Sequence, residues 1–157
     1  MLVTARHLLR SLASALSGST PPPPTQGHDG RPLGRAGERQ AARFLKRSGY
    51  RILGRNVRTR VGEADLVCEA PDGSTIVIVE VKTRARAEGQ PHASAAIDPE
   101  ASVTAHKRRN LRAIAHTLRR ANKWSDRPCR IDVIAVEWTS HDRRPRIRHL
   151  VDAVGRE

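Results

Sequence analysis

Eight residues, Thr75-Ile-Val-Ile-Val-Glu-Val-Lys82, constrain the fold of this chain more than any other stretch. β-Branched side chains favour extended backbone, and here they fill odd and even positions alike. A strand that is apolar on both faces must be covered on both, which calls for a sheet flanked by helices. Residues 62–70 (GEADLVCEA) form a second strand-like run, and Pro71-Asp72-Gly73-Ser74 between the two is a turn signal. The pair reads as a β-hairpin.

The hairpin's register decides what its charged residues can do. A two- or four-residue loop centred between Asp72 and Gly73 puts Asp65 opposite Glu80 and Glu63 opposite Lys82. Because side chains alternate with a period of two, all four then share one face with Val67, Ile76 and Ile78. Leu66, Cys68, Val77, Val79 and Val81 take the other face. A three-residue loop would instead send Asp65 and Glu80 to opposite faces. Facing residues in an antiparallel pair hold their Cβ atoms about 4.5–5.5 Å apart. Two carboxylates that close repel, and one takes up a proton unless a cation offsets the charge. A divalent ion is the natural cation, and oxygen-only ligands suit Mg²⁺ or Mn²⁺ better than zinc. The alternative is a purely structural Lys–Glu–Asp network at a strand end.

Charge supplies the context. At 157 residues the chain is one domain's worth, and its net charge of +13 far exceeds what solubility requires. Such an excess points to phosphate-rich partners, nucleic acid first. Of the 29 basic residues 25 are arginine, which biased codon usage could partly explain. The four lysines are more telling, since one of them, Lys82, falls in the carboxylate cluster. Cys68 and Cys129, both in expected strands, read as buried core thiols of a reducing compartment, the cytoplasm. No apolar span is long enough to cross a membrane.

Along the chain, residues 1–33 stand apart. They combine a short basic amphipathic segment with the run Pro21 to Pro24, and read as a disordered or targeting-like extension preceding a domain over 34–157. Residues 34–48 read as a helix stopped by Gly49. Glu38 lies on its apolar stripe rather than among the arginines at 35, 39, 43 and 47. It is there either for a function or as a first-turn carboxylate favoured by the helix dipole. Residues 50–57 form a first strand. After Lys82, residues 83–102 read as a mobile basic loop. A second helix over 103–121 carries Val103, Lys107, Leu111, Ile114, Ala115 and Leu118 on one side. Residues 130–138 and 145–151 are further strands. Asp132 reads as an inward polar anchor and Trp138 as packing. The order is αβββαβ plus a strand, an α/β layout with a mixed central sheet flanked by helices.

From Gly34 onward the pieces GRAGERQAARFLKRSGYRILGRNVRTRVGEADLV, IVIVEVKTR, PEASVTAHKRRNLRAIA and RIDVIAV follow one another. In that order they resemble the YraN-like family of predicted endonucleases, a branch of the PD-(D/E)xK superfamily with a Holliday-junction-resolvase-like core. The resemblance implies a restriction-endonuclease-like fold. By it, Asp65 is similar to the family's metal-binding aspartate, Glu80 and Lys82 to its E-x-K pair, and Glu38 to the helical glutamate completing such sites. Glu63 matches a glutamate in a GEIDL-type segment, with Ala64 replacing a larger apolar residue. Lys107 matches the lysine opening the second helix. Residues 1–33 have no counterpart, and QPHASAAID is an insertion before Pro99.

The expected chemistry is Mg²⁺- or Mn²⁺-assisted hydrolysis of a phosphodiester in branched or duplex DNA. Asp65, Glu80 and the Val81 carbonyl would hold the ion, Glu63 and Glu38 would complete its surroundings, and Lys82 would orient or deprotonate water. Arg35, Arg58, Arg60, Arg84, Lys107 and Arg108 would grip phosphates. Aromatic residues are 3% of the chain, so stacking on single-stranded bases is not the expected mode. The competing readings are a non-catalytic nucleic-acid-binding module with this fold and an RNA nuclease. The resemblance also suggests a homodimer.

Overall fold

A computed structural model describes residues 31–86, 103–139 and 144–155. The extension over residues 1–30 and the insertion QPHASAAID lie outside the described residues. Helix α1 spans Arg31–Arg47, followed by β1 (Arg51–Thr59), β2 (Gly62–Glu69) and β3 (Ile76–Arg86). Helix α2 spans Ala105–Ala121, and β4 (Cys129–Thr139) and β5 (Arg146–Leu150) complete the order. The five strands form one sheet in the order β1-β2-β3-β4-β5. Among the described strands only β3 and β4 pair in parallel, so the sheet is mixed as expected. The parallel pair needs a crossover, and α2 lies within it.

Both faces of β3 are covered, as its composition required. Leu66, Cys68, Val77 and Val79 pack with Ala41, Ala42 and Leu45 of α1, together with Ile134, Val136 and Trp138 of β4. Val67, Ile76 and Ile78 pack on the other face with Leu111, Ile114, Ala115 and Leu118 of α2. Val103 joins that second cluster and Trp138 is 6% exposed, so both pack as expected. Cys68 is buried, but Cys129 is only half-buried, short of the core position expected for it.

The helix ends follow from local chemistry. Gly49, at φ +85, closes α1 with Tyr50 N–H donating to the Leu45 carbonyl at 2.9 Å and Gly49 N–H to that of Lys46 at 3.2 Å. This is the Schellman arrangement that a left-handed glycine permits. At the start of α2 the Thr104 hydroxyl accepts the Lys107 N–H at 3.2 Å. Such an N-cap contributes about 1 kcal/mol and fixes where Lys107 enters the helix.

The hairpin loop has four residues. Ala70 N–H donates to the Thr75 carbonyl, and Asp72 Oδ1 accepts the N–H groups of Ser74 and Thr75 at 2.7 and 2.8 Å. The resulting register pairs Leu66 with Val79, Val67 with Ile78, Cys68 with Val77 and Glu69 with Ile76, which is the expected one. Two expectations for this region need correction. Strand β3 does not end at Lys82 but runs on to Arg86, because its parallel partner β4 supplies main-chain bonds along that whole length. Helix α1 begins three residues before Gly34, since Pro32 suits a first helical turn where no N–H is required.

Candidate active site

The β2–β3 ladder stops at Leu66 and Val79, one step short of Asp65 and Glu80. Beyond it the Asp65 carboxylate takes the place of a main-chain acceptor: Oδ2 accepts the Val81 N–H at 2.7 Å. Side-chain alternation also breaks here. Ala64 packs in the α2-side cluster and Leu66 in the α1-side cluster, although two residues apart they should share a face. Across on β1, the pairs Arg55–Leu66 and Val57–Ala64 flank Asn56, which sits at φ +46. Two neighbouring strands are thus irregular at one level, and Asp65 occupies that level.

Glu80 and Lys82 continue the face that Ile76 and Ile78 present to α2. Glu80 is 4% exposed and lies between two ammonium groups, Lys82 Nζ at 3.0 Å from Oε1 and Lys107 Nζ at 2.9 Å from Oε2. The Lys107 contact is ionic rather than an aligned hydrogen bond, so Oε2 remains a buried oxygen with no hydrogen-bond partner. Polar atoms left that way are rare in protein interiors and call for an explanation.

Asp65 is half-buried, and its carboxyl is pushed up from 3.8 to about 6. Withdrawal from water is the largest cause and the charge of Glu80 the second; the Val81 N–H and Lys107 act in the opposite direction. Glu38 also raises it, which brings the helical glutamate into the electrostatic reach of the site. Glu38 is half-buried on α1, and its Oε2 accepts the Asn56 amide at 2.8 Å. Gly37 beside it touches β3 directly: a Cβ built there would lie 1.9 Å from the Thr83 hydroxyl oxygen. No side chain fits between α1 and β3 at that point, and the close approach carries Glu38 toward the strand that bears Glu80 and Lys82.

The structure puts Lys82 and Lys107 in contact with Glu80 and sets Asp65 within electrostatic reach of Glu80, Glu38 and Lys107. It does not bring in Glu63, which faces β1 rather than Lys82 and pairs with Arg58 at 3.0 Å. The cause is register: Glu63 is the ladder partner of Arg58, while β3 has already separated from β2. Among the described residues no three His, Cys, Asp or Glu side chains converge closely enough to hold a metal by themselves.

The expected phosphate-gripping set also divides. Lys107 is engaged by Glu80, Arg58 by Glu63, and Arg108 donates its Nε–H to the Val103 carbonyl at 3.0 Å. Arg35 and Arg60 are exposed and Arg84 is half-buried. Asn56 and Gly37 escaped sequence reading. Their signals were an asparagine, which tolerates a left-handed backbone, inside a strand and a glycine inside a helical pattern.

A second polar cluster lies on the opposite face. Asp132 is fully buried, as an inward anchor should be. It accepts from Arg130 Nε at 3.0 Å and the Asp152 N–H at 2.9 Å, and His149 Nε2 lies 2.8 Å from it. Burial alone would raise its carboxyl, but these partners outweigh that and hold it below the usual range.

A mixed sheet with a helix on each face, and an E-x-K pair with a buried glutamate beside an irregular strand bearing Asp65, defines a restriction-endonuclease-like α/β protein. The chain belongs to the uncharacterised protein family UPF0102, whose model matches residues 37–136. This is the YraN-like, PD-(D/E)xK-type nuclease family that the motifs resemble. A UPF0102 protein of Symbiobacterium thermophilum is 44% identical over 123 residues, covering 78% of this chain and 96% of its own. One from Geotalea uraniireducens is 40% identical over 125 residues, covering 80% and 91%. Among solved structures, one described as an EndoMS complex with double-stranded DNA aligns with a TM-score of 0.34 at 16% identity. That alignment covers 68% of this chain and 38% of the other, a likeness too distant to bear on function.

Proposed function

We propose that this chain is a metal-dependent nuclease that hydrolyses phosphodiester bonds in branched or duplex DNA. The observation that carries the proposal is Glu80: a buried carboxylate whose Oε2 has an ionic contact with Lys107 but no aligned hydrogen bond, set beside a second carboxylate already unfavourably ionised. The donor chemistry fits a hard divalent cation, since carboxylate and carbonyl oxygens are what Mg²⁺ and Mn²⁺ prefer. Asp65, Glu80 and the Val81 carbonyl would hold the ion, with Glu38 reaching it through water. Bound there, it would activate water and offset charge on the phosphate.

The chain's own residues divide the remaining work. Asp65 has the carboxyl that gains most from a cation, because burial and Glu80 both disfavour its charge. Lys82, held at Glu80, presents an ammonium at the same point, where it can orient the attacking water or offset negative charge developing on the phosphate. Lys107 belongs to this group rather than to the outer phosphate contacts. Asn56 fixes the Glu38 carboxylate and so acts as a positioning residue.

The test is incubation with branched, duplex and single-stranded substrates in Mg²⁺ or Mn²⁺. Cleavage should fall by about 10²-fold or more in Lys82→Ala and Asp65→Asn. Cleavage that persists in both variants removes the site from consideration. Binding without cleavage under either metal would leave a nucleic-acid-binding module on a nuclease fold.

A further inference from the structure

Helix α2 has three longitudinal sides with different fates. One is buried against the sheet through Leu111, Ile114, Ala115 and Leu118. A flanking side is tied down by arginines that donate to main-chain carbonyls: Arg108 to Val103, Arg112 to Gly155, and Arg119 to Trp124 and Ser125. These guanidinium groups dock the helix. The third side, opposite the core, is exposed at Ala105, His106, Arg109, Ala113, His116 and Arg120. Their spacing of three and four residues makes one straight ridge.

Three facts distinguish this ridge. The whole of α2 contains no acidic residue, so nothing on the helix neutralises it. The side chains of Arg109, His116 and Arg120 make no hydrogen bond or ion pair with any described residue. The small residues Ala105 and Ala113 keep the ridge low between its basic positions, so an extended surface can approach closely. At 1.5 Å per residue, Arg109 to Arg120 spans about 16 Å, the axial rise of about five base pairs. The ridge also begins beside the site, because Lys107, in the same turn as His106 and Arg109, holds Glu80.

We infer that the α2 ridge is a track for the sugar-phosphate backbone of duplex DNA, with Arg109, His116 and Arg120 as its phosphate contacts. The inference rests on the proposed nuclease reading and deepens it by assigning the path of the substrate leading away from Glu80. The exposed arginines of α1 are the competing surface, but α1 covers the opposite face of the sheet from Glu80 and Lys82. Phosphate contacts are independent of sequence, and a salt-dependent affinity is their signature. The track therefore holds duplex by its backbone rather than by its bases.

The experiment measures duplex binding by fluorescence anisotropy across a salt series in EDTA, so that cleavage plays no part. Arginine to glutamine on an exposed helix face leaves helix propensity almost unchanged, and thermal melts of each variant verify the fold. The double variant Arg109→Gln/Arg120→Gln should reduce the slope of log affinity against log salt by about 1.8, two contacts at about 0.9 each. The matched variant Arg39→Gln/Arg43→Gln on α1 should leave the slope within about 0.5 of wild type. An unchanged slope in the α2 variant, or an equal loss in the α1 variant, overturns the assignment. So does a wild-type protein that fails to bind duplex at low salt. Duplex binding that follows these expectations without any cleavage in Mg²⁺ would refute the nuclease reading and leave the track standing.

Discussion

Replacing Asp65 with asparagine should stabilise the metal-free protein at alkaline pH, because the native fold holds this carboxylate at a cost. In the unfolded chain the carboxyl ionises near 3.8, and in the folded protein near 6. Between those values the folded state binds the extra proton. The favourable contribution of Asp65 is therefore complete below pH 3.8 and is lost as pH rises through 6. A difference of about two pH units at 1.36 kcal/mol each is about 3 kcal/mol. Asparagine removes that penalty, which already includes the opposing contribution of the Val81 N–H. The net expectation is a variant about 3 kcal/mol more stable than wild type at pH 8 in EDTA, with the advantage vanishing near pH 4. Urea denaturation at several pH values measures this, and the difference between the two proteins cancels the contributions of every other titrating group. Saturating Mn²⁺ should then stabilise wild type by about 2.7 kcal/mol at one hundred times its dissociation constant. It should do little for the variant. The reasoning fails if asparagine at position 65 destabilises the protein at pH 8, or if the difference does not change with pH.

Two further substitutions probe the frame around the site. Gly37→Ala gains about 1 kcal/mol of helix propensity but places a Cβ where Thr83 already stands, so it should destabilise the fold by about 1–3 kcal/mol in chemical denaturation and lower metal affinity by displacing Glu38. A variant as stable as wild type would show that α1 and β3 are not in the contact described. Asp132→Ala strips the partner from Arg130 and His149 in a buried setting and should cost about 3–5 kcal/mol at pH 7. Because its carboxyl is held below the usual range, this contribution is present above pH 3.8 and fades as pH falls through the lower folded value. Denaturation midpoints for the two proteins should converge in acid, and parallel curves would contradict the anchor role.

How much of this could be read from the chain differs residue by residue. The hairpin register was legible because Asp72 and Gly73 specify the loop, and once the loop is set the period of two assigns every side chain between residues 66 and 79 to a face. The pairing of Glu63 with Lys82 failed for a physical reason: β2 and β3 separate after Leu66, and pairing rules do not extend past the last ladder bond. Lys107 could be placed on the inner side of α2 but not on a particular carboxylate. The expected phosphate contacts were the least legible, since an arginine reads the same whether it faces solvent or a carbonyl such as those of Val103 or Gly155.

The sequence by itself determined the covered sheet, the two helices with the Gly49 stop of the first, and the spacing that puts Glu80 and Lys82 on one face of β3. Those are local properties: side-chain branching, alternation, and the few residues that stop helices and turn strands. Only the tertiary structure decided that α1 touches β3 through Gly37, that Asn56 holds Glu38, and that Lys107 crosses from α2 to Glu80. These contacts join positions far apart in the chain through the packing of helix on sheet, where a step of one residue or a missing Cβ selects the partner. Packing also gave the opening strand its chemistry, by burying Glu80 between two lysines.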